Sequence, residues 1–258
     1  MNKFVDIHPN AKIGQNVEIG AFVSIADNVE IGDGTIIMPN ATILPGARIG
    51  KNCKIFPNAV ISAIPQDLKF VGEETTAEIG DNTTVRECAT VNRGTASKGK
   101  TVVGSNCLLM AYSHIAHDCR LGNNIIIGNA SQIAGEVQVD DYAILSGGTL
   151  VHQFSRIGRN VIIQGGTRLG MDIPPYVTAG REPVCFMGLN LVGLRRHGFS
   201  NETISQIQDI YRVLYQSKLN TTQALEKIEA EFADSEEKRT IVEFIRASER
   251  GIVRGPKN

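Results

Sequence analysis

The sequence predicts a mainly β fold, a parallel β-solenoid of six-residue rungs followed by a small helical domain. Three observations predict it: an apolar residue at every sixth position, a small or β-branched residue two places before it, and an amphipathic pattern in the last 60 or so residues. A period of six fits neither an α-helix nor a simple hairpin. Short strands joined by turns repeat in this way.

The apolar anchors of the rungs are nearly unbroken along the first two thirds of the chain. They are Ile7, Ile13, Ile19, Ile25, Ile31, Ile37, Ile43, Ile49, Ile55, Ile61, Ile79, Val85, Val91, Val103, Leu109, Ile115, Leu121, Ile127, Ile133, Val139, Leu145, Val151, Ile157, Ile163 and Leu169. Three rungs make one triangular coil of 18 residues, so residues 18 apart should stack at about the 4.7–4.9 Å spacing of neighbouring strands.

Two further positions of the rung support the tube. The small residues two places before the anchors, such as Ala11, Val29 and Cys53, should point inward with the anchors because strand residues two apart share a face. Glycine often follows the anchor, for example Gly14 and Gly32, where we expect the corner to need permissive backbone angles.

Two segments interrupt the period, residues 62–78 and 92–102, and the anchors return after each of them. Insertions into solenoids leave as external loops, which often carry function. The repeats are expected to end near Pro174 and Pro175. We therefore predict a repeat domain of residues 1–180 and a helical domain of residues 181–258.

Three helices are predicted after a linker. Ser200 is a good N-cap for the first, with Ile204, Ile207, Ile210, Tyr211 and Leu214 on its apolar face. The second begins at Thr221 or Thr222, with Leu225 and Ile228 on one face. The third begins near Asp234 or Ser235 and carries Ile241, Val242, Phe244 and Ile245.

Composition excludes several classes of function. A net charge of −1 argues against a nucleic-acid binder that neutralises phosphates. The five cysteines include no CxxC pair, and Cys53, Cys107 and Cys119 fall at inward positions, so we expect core residues in a reducing cytoplasm. We expect no membrane span and no signal peptide, because no apolar run is long enough and the first ten residues lack a hydrophobic region.

His117 is the strongest candidate for chemistry. It lies two residues after the anchor Ile115, so it should point away from the interior, and one coil further on lies Gly135, then Gln153. A base, open space and a nearby peptide N–H suit a reaction in which an oxyanion develops. Asp118 could hold the imidazole in its productive tautomer.

A second column, Asn129, Gly147 and Gly165, predicts a groove on another face. If a neighbouring subunit presents this groove to His117, a long apolar ligand could lie along it. A prism with flat faces favours packing against copies of itself, and we expect a trimer. The alternative is that these glycines only shape a corner, which is the commoner role in such repeats.

Other polar residues leave alternatives open. Histidines near a cleft between subunits could bind zinc, although no HExxH or cysteine-rich spacing supports a metal site. Arg195 and Arg196 could form an ordinary solvated face. Between residues 193 and 220, however, those two arginines, Arg212 and Lys218 outnumber Glu202 and Asp209, which suits a phosphate or an acidic protein.

The order of motifs resembles that of the UDP-N-acetylglucosamine acyltransferase family over nearly the whole chain. The motifs are QDLKF with VGE, NRGT, HIAHDC, AGEVQVDD, VHQF, DIPPYV and GLNLVGLRRHGFS. Hexapeptide rungs alone are shared by many acyltransferases, whereas the combination of PQDLKF, HIAHD, VHQF and GLRRHGF is specific.

The resemblance implies a homotrimer of left-handed β-helices with active sites between subunits and no cofactor. The family moves an (R)-3-hydroxyacyl chain from acyl carrier protein to the 3-hydroxyl of UDP-N-acetylglucosamine, the first step of lipid A synthesis. It implies His117 as general base, Asp118 as its partner and Gly135 as the oxyanion donor. The other implied positions are Asp67, Lys69, His114, His152, Gln153, Asn190 and Arg196 for the sugar nucleotide, Gly165 for acyl length, and the basic start of the helical tail, with Arg195, Arg196 and Arg212, for the carrier protein.

Two positions depart from the family pattern. Glu136 replaces a histidine after the active-site glycine, and Val192 replaces an acidic residue of the tail motif. Three rival functions are an N-acyltransferase of the same pathway, a zinc-dependent solenoid similar to carbonic anhydrase, and a non-catalytic trimeric scaffold. The first normally has an extra N-terminal domain, whereas the repeat here begins by Ile7.

Overall fold

Short parallel strands form the three faces of a triangular prism, a left-handed parallel β-helix that confirms the predicted class. The structure is a computed structural model that describes residues 4–255. The outer ends of the two predicted domains, residues 1 and 258, lie outside the described residues. Every anchor from Ile7 to Leu169 lies in a strand, and each strand pairs with the equivalent strand of the next coil.

Each face of the prism is one sheet. The first sheet contains Asp6–Ile7, Ser24–Ile25, Thr42–Ile43, Val60–Ala63, Thr90–Asn92, His114–Ile115, Gln132–Ile133, Leu150–Val151 and Arg168–Leu169. The second contains Lys12–Ile13, Glu30–Ile31, Ala47–Ile49, Thr76–Ile79, Lys100–Val103, Arg120–Leu121, Gln138–Val139 and Arg156–Ile157. The third contains Glu18–Ile19, Ile36–Ile37, Lys54–Ile55, Thr84–Val85, Leu108–Leu109, Ile126–Ile127, Ile144–Leu145, Ile162–Ile163, Val177–Gly180 and Cys185–Leu189.

The interior is packed as the alternation of large and small residues predicts. Ile55, Ile127 and the small residue Ala41 are fully buried, and Cys53 lies among them with no exposed surface. The inward hydroxyl of Thr35 bonds to the main chain: its Oγ1 donates to the carbonyl of Gly50 at 2.9 Å and accepts from the amide of Cys53 at 3.1 Å. Burial raises the pKa of the Cys119 thiol to about 12, so this cysteine is a core residue and not a nucleophile.

The glycines after the anchors have a different role from the one expected. None of them adopts a positive φ; the left-handed position lies two residues further on and is often asparagine, as at Asn16 and Asn52. A Cβ added to Gly32 would lie 2.6 Å from the carbonyl carbon of Gly50 in the next coil. These glycines are required because adjacent coils approach closely, and asparagine tolerates the left-handed turn.

Both external loops are shorter than predicted. Strands extend into them, because Thr76 and Ala77 pair with Lys100 and Thr101 beside the regular rungs. The first loop therefore spans residues 64–75 and the second residues 93–99, instead of 62–78 and 92–102. The parallel register is the same above and below both loops, so the insertions do not disturb the stack.

The coil continues past Pro174 and Pro175, where the repeats were expected to end. Ile173 bridges to Ile157, and the strand Val177–Gly180 pairs in parallel with Ile162–Ile163. The chain then reverses, and Cys185–Leu189 pairs with this last strand in an antiparallel hairpin that the period of six does not predict. The division of domains at residue 180 stays a prediction.

Four helices follow the hairpin within residues 4–255. They are α1 (Leu191–Arg196), α2 (Asn201–Gln216), α3 (Thr221–Glu231) and α4 (Glu236–Arg246). The predicted cap at Ser200 is confirmed, since its side chain accepts from the amide of Thr203, and Ser235 caps α4 in the same way. The short helix α1 lies where a linker was expected. Asn190 begins it by accepting from the amide of Gly193.

The core predicts unequal costs for two neighbouring substitutions. Ile55→Ala should lower the free energy of unfolding by about 2–5 kcal/mol, because it opens a cavity where no surface is exposed. Lys54→Ala, on the outer side of the same strand, should change it by less than about 0.5 kcal/mol. Chemical denaturation of both variants measures the difference, and equal losses would contradict the inward assignment of Ile55.

Candidate active site

His117 lies at the first corner of the prism, in the turn that joins His114–Ile115 of the first sheet to Arg120–Leu121 of the second. Its neighbour Asp118 occupies the left-handed position of this turn, with a φ of 60°. The amide of Asp118 donates to Thr101 Oγ1 at 2.8 Å, which fixes the main chain of the corner. The turn thereby directs the Asp118 carboxylate back toward the preceding imidazole.

The imidazole and the carboxylate form a hydrogen-bonded pair. His117 Nδ1 lies 2.8 Å from Asp118 Oδ2, and the Asp118 side chain is fully buried while 10% of the His117 side chain is exposed. An ionised carboxylate only accepts, so the proton of a neutral imidazole lies on Nδ1 and Nε2 keeps its lone pair. The contact expected between these two neighbours is present, and the role of His117 as a base stays a prediction.

Asp118 receives three further hydrogen bonds from the second external loop. Its Oδ1 accepts from the amides of Thr95 and Lys98 at 2.9 and 3.3 Å, and its Oδ2 accepts from the Thr95 hydroxyl at 2.6 Å. Sequence reasoning missed Thr95 because this loop interrupts the period on which the stacking argument depends. The NRGT motif was noticed only as part of a resemblance.

Gly135 covers the imidazole from the next coil. A Cβ placed on Gly135 would lie 2.6 Å from both Cε1 and Nε2 of His117, so only glycine leaves room for the ring. The coil pairing is regular here, since the amide of Glu136 donates to the carbonyl of His117 at 3.0 Å. Within residues 4–255 the amide of Gly135 has no hydrogen-bond acceptor.

His114, His152 and Gln153 lie along the same edge of the prism as His117. His114 Nδ1 is 2.7 Å from Thr90 Oγ1, on the outer side of the first sheet. Burial lowers the pKa of His114, and the nearby charge of His117 lowers it further. His152 is exposed, and its Nδ1 lies 3.0 Å from the carbonyl of Gln153.

The first external loop carries Asp67 and Lys69. Asp67 Oδ1 accepts from the amide of Lys69 at 2.9 Å, a local turn that leaves the lysine side chain exposed. Leu68 between them is fully exposed. The loop contacts the first residue of the second external loop, Arg93, whose guanidinium lies 5.3 Å from the centre of the Phe70 ring.

Gly147 and Gly165 lie at the third corner, between the third and first sheets. They stack as predicted: a Cβ on Gly165 would be 3.2 Å from the carbonyl oxygen of Gly147 and would meet only one other atom, Ser146 Cβ at 3.9 Å. Both glycines are exposed, so the column leaves an open groove on the outer surface. The prism separates this corner from the corner of His117.

The helical tail meets the prism at the second corner, between the second and third sheets. Asn190 is buried, and its amide nitrogen donates to the carbonyl of Asn160 while its oxygen caps α1. These partners give Asn190 a role within the protein, and its contact with substrate stays a prediction. Arg195 and Arg196 are exposed on α1.

Arg212, the third arginine of the helical tail, takes part in an ion pair. Arg212 on α2 is exposed and pairs with Asp209 at 2.7 Å. Among residues 4–255, no group of three or more histidine, cysteine or acidic side chains is placed to hold a metal ion. Over the same range, no helix has the length and apolar character needed to cross a bilayer.

Comparisons with known proteins agree with the motif order. The family model described as UDP N-acetylglucosamine O-acyltransferase, domain 2, matches residues 172–253, and the bacterial transferase hexapeptide model matches residues 10–45, 28–63 and 100–135. The acyl-[acyl-carrier-protein]–UDP-N-acetylglucosamine O-acyltransferase of Halorhodospira halophila is 45% identical over 254 residues, covering 98% of each chain.

Solved structures agree as well. A UDP-N-acetylglucosamine acyltransferase from Bacteroides fragilis superposes with a TM-score of 0.97 at 59% identity, over 98% of this chain and 100% of that one. The enzyme of the same description from Francisella novicida gives 0.96 at 39% identity, over 99% and 94% of the two chains.

The lowered pKa of His114 predicts part of the acid sensitivity of the protein. The unfolded chain binds a proton at His114 near pH 6.5, where the folded chain does not, so stability is complete above that pH and falls as the pH drops toward the lower folded value. His114→Gln removes this contribution to the pH dependence of stability. The midpoint of thermal unfolding should therefore fall less for the variant than for the wild type between pH 7.5 and about 5.5.

His8→Gln provides the control, because His8 is exposed near the other end of the prism. That variant should follow the wild-type curve. Parallel curves for the wild type and His114→Gln would contradict the pKa assignment.

Proposed function

The chain belongs to the family of UDP-N-acetylglucosamine O-acyltransferases, and on that premise we propose that it transfers an (R)-3-hydroxyacyl chain from acyl carrier protein to the 3-hydroxyl of UDP-N-acetylglucosamine. This reaction begins lipid A synthesis. The observation that carries the proposal is the placement of His117 between the carboxylate of Asp118 and the free amide of Gly135.

The proposed step is a direct attack of the sugar oxygen on the thioester. His117 Nε2 removes the proton of the 3-hydroxyl as the oxygen bonds to the thioester carbon, while Asp118 stabilises the imidazolium through Nδ1–H. The carbonyl oxygen becomes an oxyanion, and the Gly135 amide donates to it. The C–S bond then breaks, and the imidazolium returns its proton to the departing thiolate of the carrier.

No acyl-enzyme intermediate is part of this proposal. Cys53, Cys107 and Cys119 are buried in the tube, and burial raises the pKa of each thiol. A buried, protonated thiol is a poor nucleophile. In the neutral tautomer set by Asp118, the imidazole of His117 combines a free lone pair on Nε2 with a side chain that is 10% exposed.

The separation of the three corners supports a homotrimer. The base lies at the first corner, the basic helix α1 at the second and the glycine groove at the third. A second copy is needed to bring a groove or a basic helix next to a given His117. Four successive outer positions of the third sheet, Leu108, Ile126, Ile144 and Ile162, are apolar and half-buried, a composition that suits contact between copies.

Substrate recognition is assigned to residues around this cleft. Asp67, Lys69, His114, His152, Gln153, Asn190 and Arg196 are proposed to bind the sugar nucleotide, and Arg195, Arg196 and Arg212 to bind acyl carrier protein. Exposed arginines suit a phosphate or an acidic protein surface. A cytoplasmic location is proposed with these partners.

The two departures from the family pattern are both accessible. Glu136 is half-buried beside Asp118, and Val192 is 60% exposed on α1. Neither changes the hydrogen bonds of His117. We therefore propose that they alter the contacts of the nucleotide and leave the chemical step unchanged.

The activity is tested with purified protein, UDP-N-acetylglucosamine and a panel of 3-hydroxyacyl carrier proteins, with products read by mass spectrometry. The wild type should form an ester product. His117→Ala should lower kcat/KM by about 10²–10⁴-fold, the usual contribution of a general base. His8→Gln should keep the wild-type rate. No product from folded wild type with any donor would refute the proposed function.

The glycine groove makes a separate prediction about acyl length. In Gly165→Met the new Cβ would press against the carbonyl oxygen of Gly147 at 3.2 Å, and the rest of the side chain would occupy the column. Transfer of the longest accepted chain should therefore fall while shorter chains are transferred at the wild-type rate. The shorter donors are the internal control for folding. Unchanged use of the longest chain by Gly165→Met would show that the acyl chain lies elsewhere.

A further inference from the structure

The second external loop, residues 93–99, donates three hydrogen bonds to Asp118, the carboxylate that pairs with His117. Thr95 lies at its centre and is 8% exposed. Its main-chain amide and its hydroxyl donate to the two different oxygens of the Asp118 carboxylate, at 2.9 and 2.6 Å. A carboxylate held at both oxygens by one residue cannot rotate about its last bond without breaking one of these contacts.

The Thr95 hydroxyl shares its acceptor with the imidazole. Both Thr95 Oγ1 and His117 Nδ1 lie within hydrogen-bond distance of Asp118 Oδ2, whereas the main-chain amides of Thr95 and Lys98 serve Oδ1. The hydroxyl also accepts from the amide of Ser97 at 3.1 Å, so its proton is directed to the carboxylate. The side chain of Thr95 therefore sets the position of the oxygen that orients the base.

The loop is itself anchored on both sides. The carbonyl of Thr95 accepts from the amide of Gly99 at 2.8 Å, which closes the loop on itself. Glu73, in the first external loop, accepts from the amide of Ala96 at 3.0 Å with one carboxylate oxygen and from the amide of Val71 at 2.9 Å with the other. The loop proposed to bind the sugar nucleotide is thus tied directly to the loop that holds Asp118.

We propose that Thr95 is a positioning residue of the transfer reaction, which acts through Asp118 on His117 and does not touch the substrate. The inference rests on the proposed function. Loss of the hydroxyl leaves Oδ2 with the imidazole as its only partner among residues 4–255, while the two main-chain amides still hold Oδ1. The carboxylate then turns more easily about its Oδ1 contacts, and His117 spends less time aligned with the sugar hydroxyl. The rate of the chemical step should then fall while the affinity for UDP-N-acetylglucosamine is kept.

The test compares Thr95→Val, which removes the hydroxyl at nearly constant volume, with Thr95→Ser, which keeps it. Because hydrogen bonds to charged groups are the stronger ones, Thr95→Val should lower kcat by about ten-fold with KM for the sugar nucleotide unchanged within about two-fold. Thr95→Ser should restore kcat to within about three-fold of the wild type.

Thr75→Val is the matched control. Thr75 is also a buried threonine, 6% exposed, and its hydroxyl donates at 2.6 Å to the carbonyl of Gly94 next to Thr95, without contacting Asp118. This variant loses a buried hydrogen bond to the same loop, and it should keep kcat. A fall in kcat equal to that of Thr95→Val would mean that the loop needs only its general stability, which would overturn the inference.

A double-mutant cycle with Asp118→Ala, which removes the acceptor of the Thr95 hydroxyl, tests whether Thr95 acts through the carboxylate. In that background the further change Thr95→Val should lower kcat by less than about two-fold, because the interaction is already lost. If Thr95→Val lowers kcat by the same factor in the Asp118 variant as in the wild type, the inference is overturned. An active wild type with an unaffected Thr95→Val refutes this inference alone, whereas an inactive wild type refutes the proposed function.

Discussion

The parallel pairing of each coil with the next is the interaction on which the rest of the structure depends. Wherever no loop intervenes, the pairing places each residue directly below the residue 18 positions later in the chain. The two residues are separated by the spacing of neighbouring strands. This constraint places Gly135 over His117 and Gly165 over Gly147. It also explains the glycines after the anchors, since a Cβ there would collide with the main chain of the adjacent coil. Chemistry in this protein is arranged first by stacking and only then by side-chain contacts.

The external loops add what stacking cannot supply. A rung is too short to surround a carboxylate, because its corner offers one outward main-chain amide at a time. Asp118 is instead enclosed by the loop of residues 93–99, which provides three donors to its two oxygens. The same loop is joined through Glu73 to the loop that carries Asp67 and Lys69. The regular rungs place His117 against Gly135, and the external loop supplies the hydrogen-bond donors around Asp118.

How much the sequence could predict follows from this division. The six-residue period can be read directly from the apolar anchors. It determines the strand positions, the inward cysteines, the stacking of Gly135 on His117 and the glycine column. Thr95 could not be placed in this way, since an insertion breaks the arithmetic that relates residues in neighbouring coils. The short helix α1 and the final hairpin were missed for a similar reason, because neither repeats. Asn190 has a structural role that the resemblance did not imply, since both polar atoms of its side chain are bonded within the protein, and its contact with substrate stays a prediction.

The unchanged register across the two loops has a consequence for how such a protein can evolve. Extra residues accommodated at a corner leave every rung above them in place, whereas a single residue gained inside a rung would rotate all later faces of the prism. Axial distances along the molecule are therefore quantised in whole coils of about 4.7–4.9 Å. Under the proposed function, the length of acyl chain that fits the glycine groove would change coarsely by gain or loss of a coil, or finely by exchange of one side chain. The rungs leave no intermediate adjustment of the main chain.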